Sequence, residues 1–209
     1  KSERVFTSLQ LYIPWKIIDV DGDGRHEVMA VDARRVRLLE AATPDSFPER
    51  LLWEQRDVWG GEANDLDGDG KPELFLRSGS SSFLQVFESA AADQLQEIAV
   101  LHNPSEGKNQ LGQRQVIADF DGDARGELVA GDGDGDLYSY EQVADDAYRS
   151  RWHAAGKGDA RIVGGGADWD GDGRAEFAVA RFFDNPFDLE GRRWQIEVFS
   201  SVDDNGFAT

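Results

Sequence analysis

The stretch DVDGDGRHE at residues 19–27 (loop 1) recurs three times, as DLDGDGKPE at 65–73 (loop 2), DFDGDARGE at 119–127 (loop 3) and DWDGDGRAE at 168–176 (loop 4). Every copy has Asp at positions 1, 3 and 5 and Glu at position 9. The copies begin 46, 54 and 49 residues apart, close to the upper end of the period of roughly 20 to 50 residues that marks repeated supersecondary units. The spacing predicts four similar units.

The runs that follow each loop predict the strands of these units. Immediately after each loop comes a continuous apolar run, typical of a strand covered on both faces: Val28–Val31, Leu74–Leu76, Leu128–Ala130 and Phe177–Ala180. An alternating run, typical of a half-exposed strand, comes next: Val36–Glu40, Phe83–Glu88, Leu137–Glu141 and Trp194–Phe199.

A final amphipathic run ends three of the units, at Arg50–Glu54, Gln96–Val100 and Tyr148–Trp152, and the fourth unit shows none. With the short apolar stretch before each loop, these runs predict four strands per unit. We therefore expect an all-β fold, a single β-propeller domain or propeller segment over residues 1–209 with four-stranded blades. Arg4–Leu9 resembles the strand that the fourth unit lacks. It either closes the ring against that unit or belongs to an earlier blade.

Composition narrows the classes of function. The 209 residues are 40% apolar, enough for a sizeable core, and contain no cysteine, which excludes disulfides and thiolate metal sites. The net charge of −19 argues against a nucleic-acid partner. The four loops hold sixteen of the 41 acidic residues, so the acidity is local. No run approaches the roughly 18 apolar residues of a membrane span, so we expect no direct membrane insertion.

Carboxylates at alternate positions can fold round Ca²⁺, which takes six to eight oxygen ligands. We predict up to four Ca²⁺ ions, one per loop, with the position-7 residue contributing its backbone carbonyl. The predicted metal ligands are Asp19, Asp21, Asp23, Arg25 and Glu27; Asp65, Asp67, Asp69, Lys71 and Glu73; Asp119, Asp121, Asp123, Arg125 and Glu127; and Asp168, Asp170, Asp172, Arg174 and Glu176. Mg²⁺ fits less well, because it prefers strict octahedral sites with several waters.

Position 6 requires a left-handed turn, which glycine adopts readily. Gly24, Gly70 and Gly173 occupy it in three loops, and Ala124 occupies it in loop 3. A left-handed alanine costs roughly 1 kcal/mol or more. We therefore expect the third site to be weaker.

Two other interpretations of the loops are less consistent with the sequence. An EF-hand needs Glu at position 12, where this chain has Ala30, Leu76, Ala130 and Val179. Asp- and Gly-rich turns are common between strands, but four copies in one register would carry carboxylates that repel each other without a counter-ion. A fifth candidate, GDGDGD at 131–136, has no matching Glu and is interpreted as a hairpin turn.

These loops and the strands after them resemble the FG-GAP (VCBS-type) repeats of integrin α-subunit propellers and many bacterial surface proteins. The Phe-Gly and Gly-Ala-Pro signatures are absent, and position 9 is Glu where integrin loops usually have Asp. The resemblance implies a non-enzymatic binding or adhesion module, secreted, periplasmic or on the cell surface, that holds a protein or carbohydrate ligand. The alternative is the propeller of a polysaccharide-degrading, lyase-like enzyme. A homo-oligomer is expected if four units do not close a ring.

Overall fold

A computed structural model describes sixteen strands and no helix within residues 12–32, 34–43, 46–79, 82–105, 109–183, 193–203 and 206–209. Within those ranges, accordingly, no helix is long and apolar enough to cross a membrane. The predicted strand Arg4–Leu9 lies outside the described residues.

The strands form four antiparallel sheets, each made of four strands that are consecutive in the sequence. The first sheet contains β1 (Ile13–Ile18), β2 (Glu27–Asp32), β3 (Arg35–Ala41) and β4 (Pro48–Arg56). The second contains β5 (Val58–Asn64), β6 (Glu73–Ser78), β7 (Phe83–Ala91) and β8 (Gln94–His102). The third contains β9 (Leu111–Ala118), β10 (Glu127–Asp132), β11 (Leu137–Ala144) and β12 (Ala147–Ala154). The fourth contains β13 (Asp159–Ala167), β14 (Glu176–Phe183), β15 (Arg193–Asp203) and β16 (Gly206–Ala208).

Two strand predictions need correction. The fourth sheet does have a fourth strand, β16, which is only three residues long and therefore too short to show a periodic pattern. The alternating runs of the first three sheets are largely buried rather than half-exposed, because residues of these runs belong to the apolar clusters between successive sheets. The continuous apolar runs become the second strand of each sheet and are buried as predicted.

The cores lie between successive sheets. Three apolar clusters join the first sheet to the second, the second to the third and the third to the fourth. Members that face each other include Leu38 and Leu74, Phe75 and Leu128, and Val129 and Phe177. Each such side chain contributes about 1.5–3 kcal/mol when fully buried. In the described part of the chain no cluster joins the fourth sheet to the first, so ring closure is not seen.

Candidate metal loops and inner groove

Each loop connects the first and second strands of its sheet and has the same internal hydrogen bonds. The position-1 carboxylate accepts the N–H groups of positions 4 and 6 at 2.7–3.1 Å. The carboxylates at positions 3 and 5 each accept the N–H two residues further on, at 2.7–3.2 Å. These bonds hold the three aspartates on one side of a tight turn, as the sequence spacing required.

The position-9 glutamates give the clearest evidence that the loops suit a cation. They are at most 2% exposed, and one oxygen of each, Oε2, accepts the N–H of position 2 at 2.6–2.8 Å. The other oxygen, Oε1, is buried and has no hydrogen-bond partner among the described residues. The four glutamates are Glu27, Glu73, Glu127 and Glu176. A buried oxygen without a partner is costly, and a cation bound by the loop would satisfy it.

The loop carboxylates lie close enough to share an ion. In loops 2, 3 and 4 the three aspartates and the glutamate each offer an oxygen within 4.8 Å of the others. In loop 1 they form two overlapping groups, one of Asp19, Asp21 and Glu27 and one of Asp23, Glu27 and Glu40. The geometry thus brings all four predicted carboxylate ligands together in loops 2, 3 and 4, and divides those of loop 1 between two groups that share Glu27. Binding itself stays a prediction, as does the role of the position-7 carbonyl groups.

Burial raises the pKa of three of the position-9 glutamates. Desolvation raises the pKa of Glu27 to about 7, and the loop carboxylates add to this increase. Desolvation likewise raises the pKa of Glu73 and of Glu127 to about 8. A divalent cation at the free oxygens would favour the ionised form of these side chains, so metal binding and proton release are coupled.

The backbone at position 6 has the predicted left-handed conformation. The φ angles are 88° at Gly24, 92° at Gly70, 92° at Gly173 and 69° at Ala124. Loop 3 therefore keeps the turn with an alanine in place. The sequence analysis missed that position 4 is also left-handed in all four loops, which explains the glycine found there in every copy.

A second set of acids was missed as well. The position-7 side chains of loops 1, 2 and 3 form ion pairs with buried glutamates on the third strand of their sheets. The pairs are Arg25–Glu40, Lys71–Glu88 and Arg125–Glu141. The fourth loop differs, because Arg174 donates to the Ser201 carbonyl at 2.8 Å. The recurrence of Glu 13 to 15 residues after each loop glutamate was a usable signal.

The stretch 131–136 is the hairpin between β10 and β11, as predicted. Asp132 is fully buried, and its Oδ1 accepts the N–H groups of Gly135 and Asp136 at 3.1 and 2.8 Å. Its Oδ2 accepts a hydrogen bond from Asn103 at 2.9 Å. These bonds give Asp132 the role of a turn-stabilising residue.

The four inner strands, β1, β5, β9 and β13, line a groove of about 520 Å³. Trp15 is 43% exposed there, and its indole N–H donates to the Gly61 carbonyl at 2.8 Å. Lys16 on the same strand forms a 2.7 Å ion pair with the groove residue Glu62. The other lining residues are Pro14, Gly60, Gln115, Val116, Ile117, Ile162, Val163, Gly164 and Gly165. Trp169 and Trp194 are also more than 40% exposed.

No family model matches this chain. No curated protein matches it either. A solved structure does match, that of the Pseudomonas aeruginosa periplasmic gluconolactonase PpgL, with a TM-score of 0.54 and 15% identity. The match covers 95% of this chain and 57% of the gluconolactonase, so this chain spans little more than half of that protein's length.

The likeness supports a β-propeller fold for the four sheets. It also corrects the expectation of a non-enzymatic binding or adhesion module, because a protein with this fold is an enzyme. The FG-GAP resemblance rests on the loops alone. The comparison therefore identifies the fold, a β-propeller built of four-stranded antiparallel sheets.

Proposed function

We propose that this chain is a calcium-loaded propeller segment of an enzyme that acts on a carbohydrate. The metal part of the proposal rests on one observation, the buried and unpartnered Oε1 atom in all four loops. The enzymatic part rests on the shared fold with the gluconolactonase and on the inner groove.

Calcium is the cation that best suits the loops. Three aspartates and a glutamate supply hard oxygen ligands, and water completes a coordination shell that is larger and less regular than that of Mg²⁺. The resemblance to FG-GAP-type loops points to the same cation, although those loops usually have Asp rather than Glu at position 9. We place the protein in the periplasm or outside the cell, because extracellular calcium modules bind at roughly 10⁻⁴ to 10⁻³ M and the gluconolactonase is periplasmic.

Once bound, Ca²⁺ supplies positive charge that neutralises the loop carboxylates. The chain's own residues then fix the sheets. Each position-9 glutamate keeps its bond to the position-2 N–H and so ties the loop to the start of the second strand. These loops lie between the first two strands of each sheet, next to the strands that line the groove. We infer that calcium rigidifies the frame that carries the groove.

The groove has the features of a sugar site. The exposed face of Trp15 can stack on a sugar ring, and Glu62 and Lys16 offer an acceptor and a donor for hydroxyl groups. Glu62 is also a carboxylate available for proton transfer. The alternative substrate classes are a sugar lactone, as for the gluconolactonase, and an acidic polysaccharide, as for a lyase.

Turnover measurements test the enzymatic part. Calcium-loaded protein is incubated with gluconolactone, followed by acid release, and with acidic polysaccharides, followed by the absorbance of unsaturated products. We expect turnover with one class, and loss of at least about 100-fold with Glu62→Gln if this group transfers the proton. Glu49→Gln, at an exposed position on β4, is the control. Folded, calcium-loaded protein that turns over neither class would contradict the proposal.

A further inference from the structure

A polar cleft between the second and third sheets adjoins loop 2. The β11–β12 hairpin of the third sheet turns at Asp146, whose φ is 56°, and its backbone N–H lies against the Asp67 carboxylate. One sheet earlier, the corresponding N–H of Asp93 donates to Asp21 at 2.8 Å. In both cases the hairpin of the next sheet rests on a metal loop and brings an aspartate with it.

The two clefts differ in how their acids are neutralised. In the first, Arg50 pairs with both Glu40 and Asp93, the latter at 2.9 Å. In the register of the second sheet, Glu88 lies opposite Gln96 where Glu40 lies opposite Arg50. The second cleft therefore lacks this arginine, and Lys71 at 3.0 Å is the cation that pairs with Glu88.

Consequently, several oxygens of the second cleft are buried without a partner. Glu88 is 4% exposed and lies beside Glu73 across the β6–β7 ladder, and its Oε2 has no hydrogen bond. The unpartnered atoms are Glu73 Oε1, Asp67 Oδ2, Glu88 Oε2, Asp146 Oδ1 and the Tyr148 hydroxyl. Leaving so many buried polar atoms unsatisfied is unfavourable. In loops 1 and 3, only the glutamate Oε1 atoms of Glu27 and Glu127 are in this state among the described loop residues.

We propose that loop 2 is an inter-sheet cation site, in which Glu88 and the third-sheet residue Asp146 extend the ligand set beyond the loop, directly or through water. The inference rests on the proposed binding of calcium. A site with more carboxylates binds Ca²⁺ more tightly, so loop 2 fills before loops 1 and 3. Its ion also joins the second sheet to the third, because Asp146 belongs to a different sheet from Asp67.

Removal of one carboxylate from each cleft tests the inference. Asp146→Asn keeps the backbone N–H beside Asp67 and removes the negative charge of the side chain, leaving only a neutral amide oxygen toward the ion. Asp93→Asn is the matched control, because Asp93 is already paired with Arg50. Calcium titrations followed by ¹⁵N NMR report each site separately, through the amide of Gly70 for loop 2 and that of Gly24 for loop 1.

We expect Asp146→Asn to raise the calcium concentration at which the Gly70 amide signal is half-shifted about tenfold. The corresponding concentration for the Gly24 amide should not change. Asp93→Asn should move neither by more than about twofold. If Asp146→Asn does not fold, Glu88→Gln provides the same test. If the Gly70 titration is unchanged in a folded variant, this inference alone is wrong. If the loop amide signals of the wild-type protein do not shift on addition of calcium, the proposed calcium sites are wrong as well.

Discussion

At the scale of single residues, the position-9 glutamate has two separate roles. In loop 2, Glu73 Oε2 accepts the Leu66 N–H at 2.7 Å and so fixes the loop to β6, while Oε1 is left free. The hydrogen bond to Oε2 stabilises the folded loop, whereas the unpartnered Oε1 leaves part of the carboxylate buried away from water. A cation bound at Oε1 would offset the cost of that burial.

The raised pKa values predict how stability depends on pH. Without metal, folded Glu73 and Glu127 titrate at about 8 and Glu27 at about 7, against 4.5 ordinarily. The folded state therefore holds protons that the unfolded state releases, so the free energy of unfolding in chelator should fall as pH rises from about 4.5 to about 8. The slope is at most about 1.4 kcal/mol per pH unit for each group.

Urea unfolding at pH 5, 6.5 and 8, in chelator and in saturating calcium, measures this dependence. Saturating calcium should remove most of the fall in the free energy of unfolding with pH. In chelator, Glu73→Gln should remove the part of that fall that comes from Glu73. Metal-free stability that rises with pH over this window would show that the glutamates are not the desolvated acids described.

Ala124 predicts a defect confined to loop 3. With φ at 69° it has a conformation that costs an alanine about 1 kcal/mol or more, and binding of the ion requires the loop to stay in that conformation. Ala124→Gly should tighten calcium binding at loop 3 by about fivefold to tenfold, as measured by calorimetry. Gly70→Ala, the reverse change in loop 2, should weaken that site by a similar factor. Equal affinities in each pair would eliminate the strain argument.

The sequence predicted the carboxylates of the loops because their ligand spacing is local. It could not predict that Glu88 lies beside Glu73, since this neighbour arises from the register of β6 against β7. Asp146 comes from the next sheet and was even less accessible. Sequence spacing predicts which residues of one loop can bind the same ion. It does not predict which residues strand pairing and sheet packing bring next to them.

At the scale of the strands, the glycines of the inner strands allow close approach. A Cβ atom at Gly61 of β5 would lie 1.7 Å from the Phe75 carbonyl oxygen, next to the irregularity between Trp59 and Gly61. Glycine in a strand often marks such a bulge or close contact. The pattern of apolar residues in these strands was correspondingly weak, so their bounds were not predicted.

Gly61→Ala should therefore disrupt the β5–β6 pairing and destabilise the protein by about 3 kcal/mol or more. The matched control is Gly164→Ala on β13, where a Cβ would meet nothing within 4 Å. Denaturant midpoints compare the two variants. If both lose equal stability, the steric explanation is wrong and glycine's backbone freedom is the relevant property.

The apolar side chains of β15 show how pattern can mislead about burial. Alternation in this strand predicted one buried and one solvated face, yet Trp194, Ile196 and Val198 are exposed at 53%, 61% and 45%. The same face of the third sheet, at Val129, packs against the fourth sheet. The exposed face is thus equivalent to a sheet-packing surface.

At the scale of the whole molecule, the exposed face of the fourth sheet that carries Trp194, Ile196 and Val198 predicts self-association. The first sheet exposes Ile17 and Leu51 at 67% and 51%. We expect a second copy to pack its first sheet on the fourth sheet of the first copy, head to tail. Light scattering should give a dimer mass, and Ile196→Lys should give the monomer. Wild-type protein that is monomeric at about 100 μM, well above the Kd of a standard-size interface, would contradict this.

Calcium should control the stability of the whole arrangement, because each empty loop holds four carboxylates that repel one another. An ion that binds only the folded state adds about 2.7 kcal/mol per site at a hundredfold excess over its Kd. Asp67→Ala and Asp170→Ala should each lose part of this gain, since each removes one ligand from one loop.

The most direct measurement is the melting temperature of protein first shown to be metal-free, in chelator, in millimolar calcium and in equal magnesium. The account predicts a large rise with calcium, a smaller one with magnesium, and reversal on chelation. A melting temperature that stays the same in all three conditions would contradict the claim that these four loops are calcium sites.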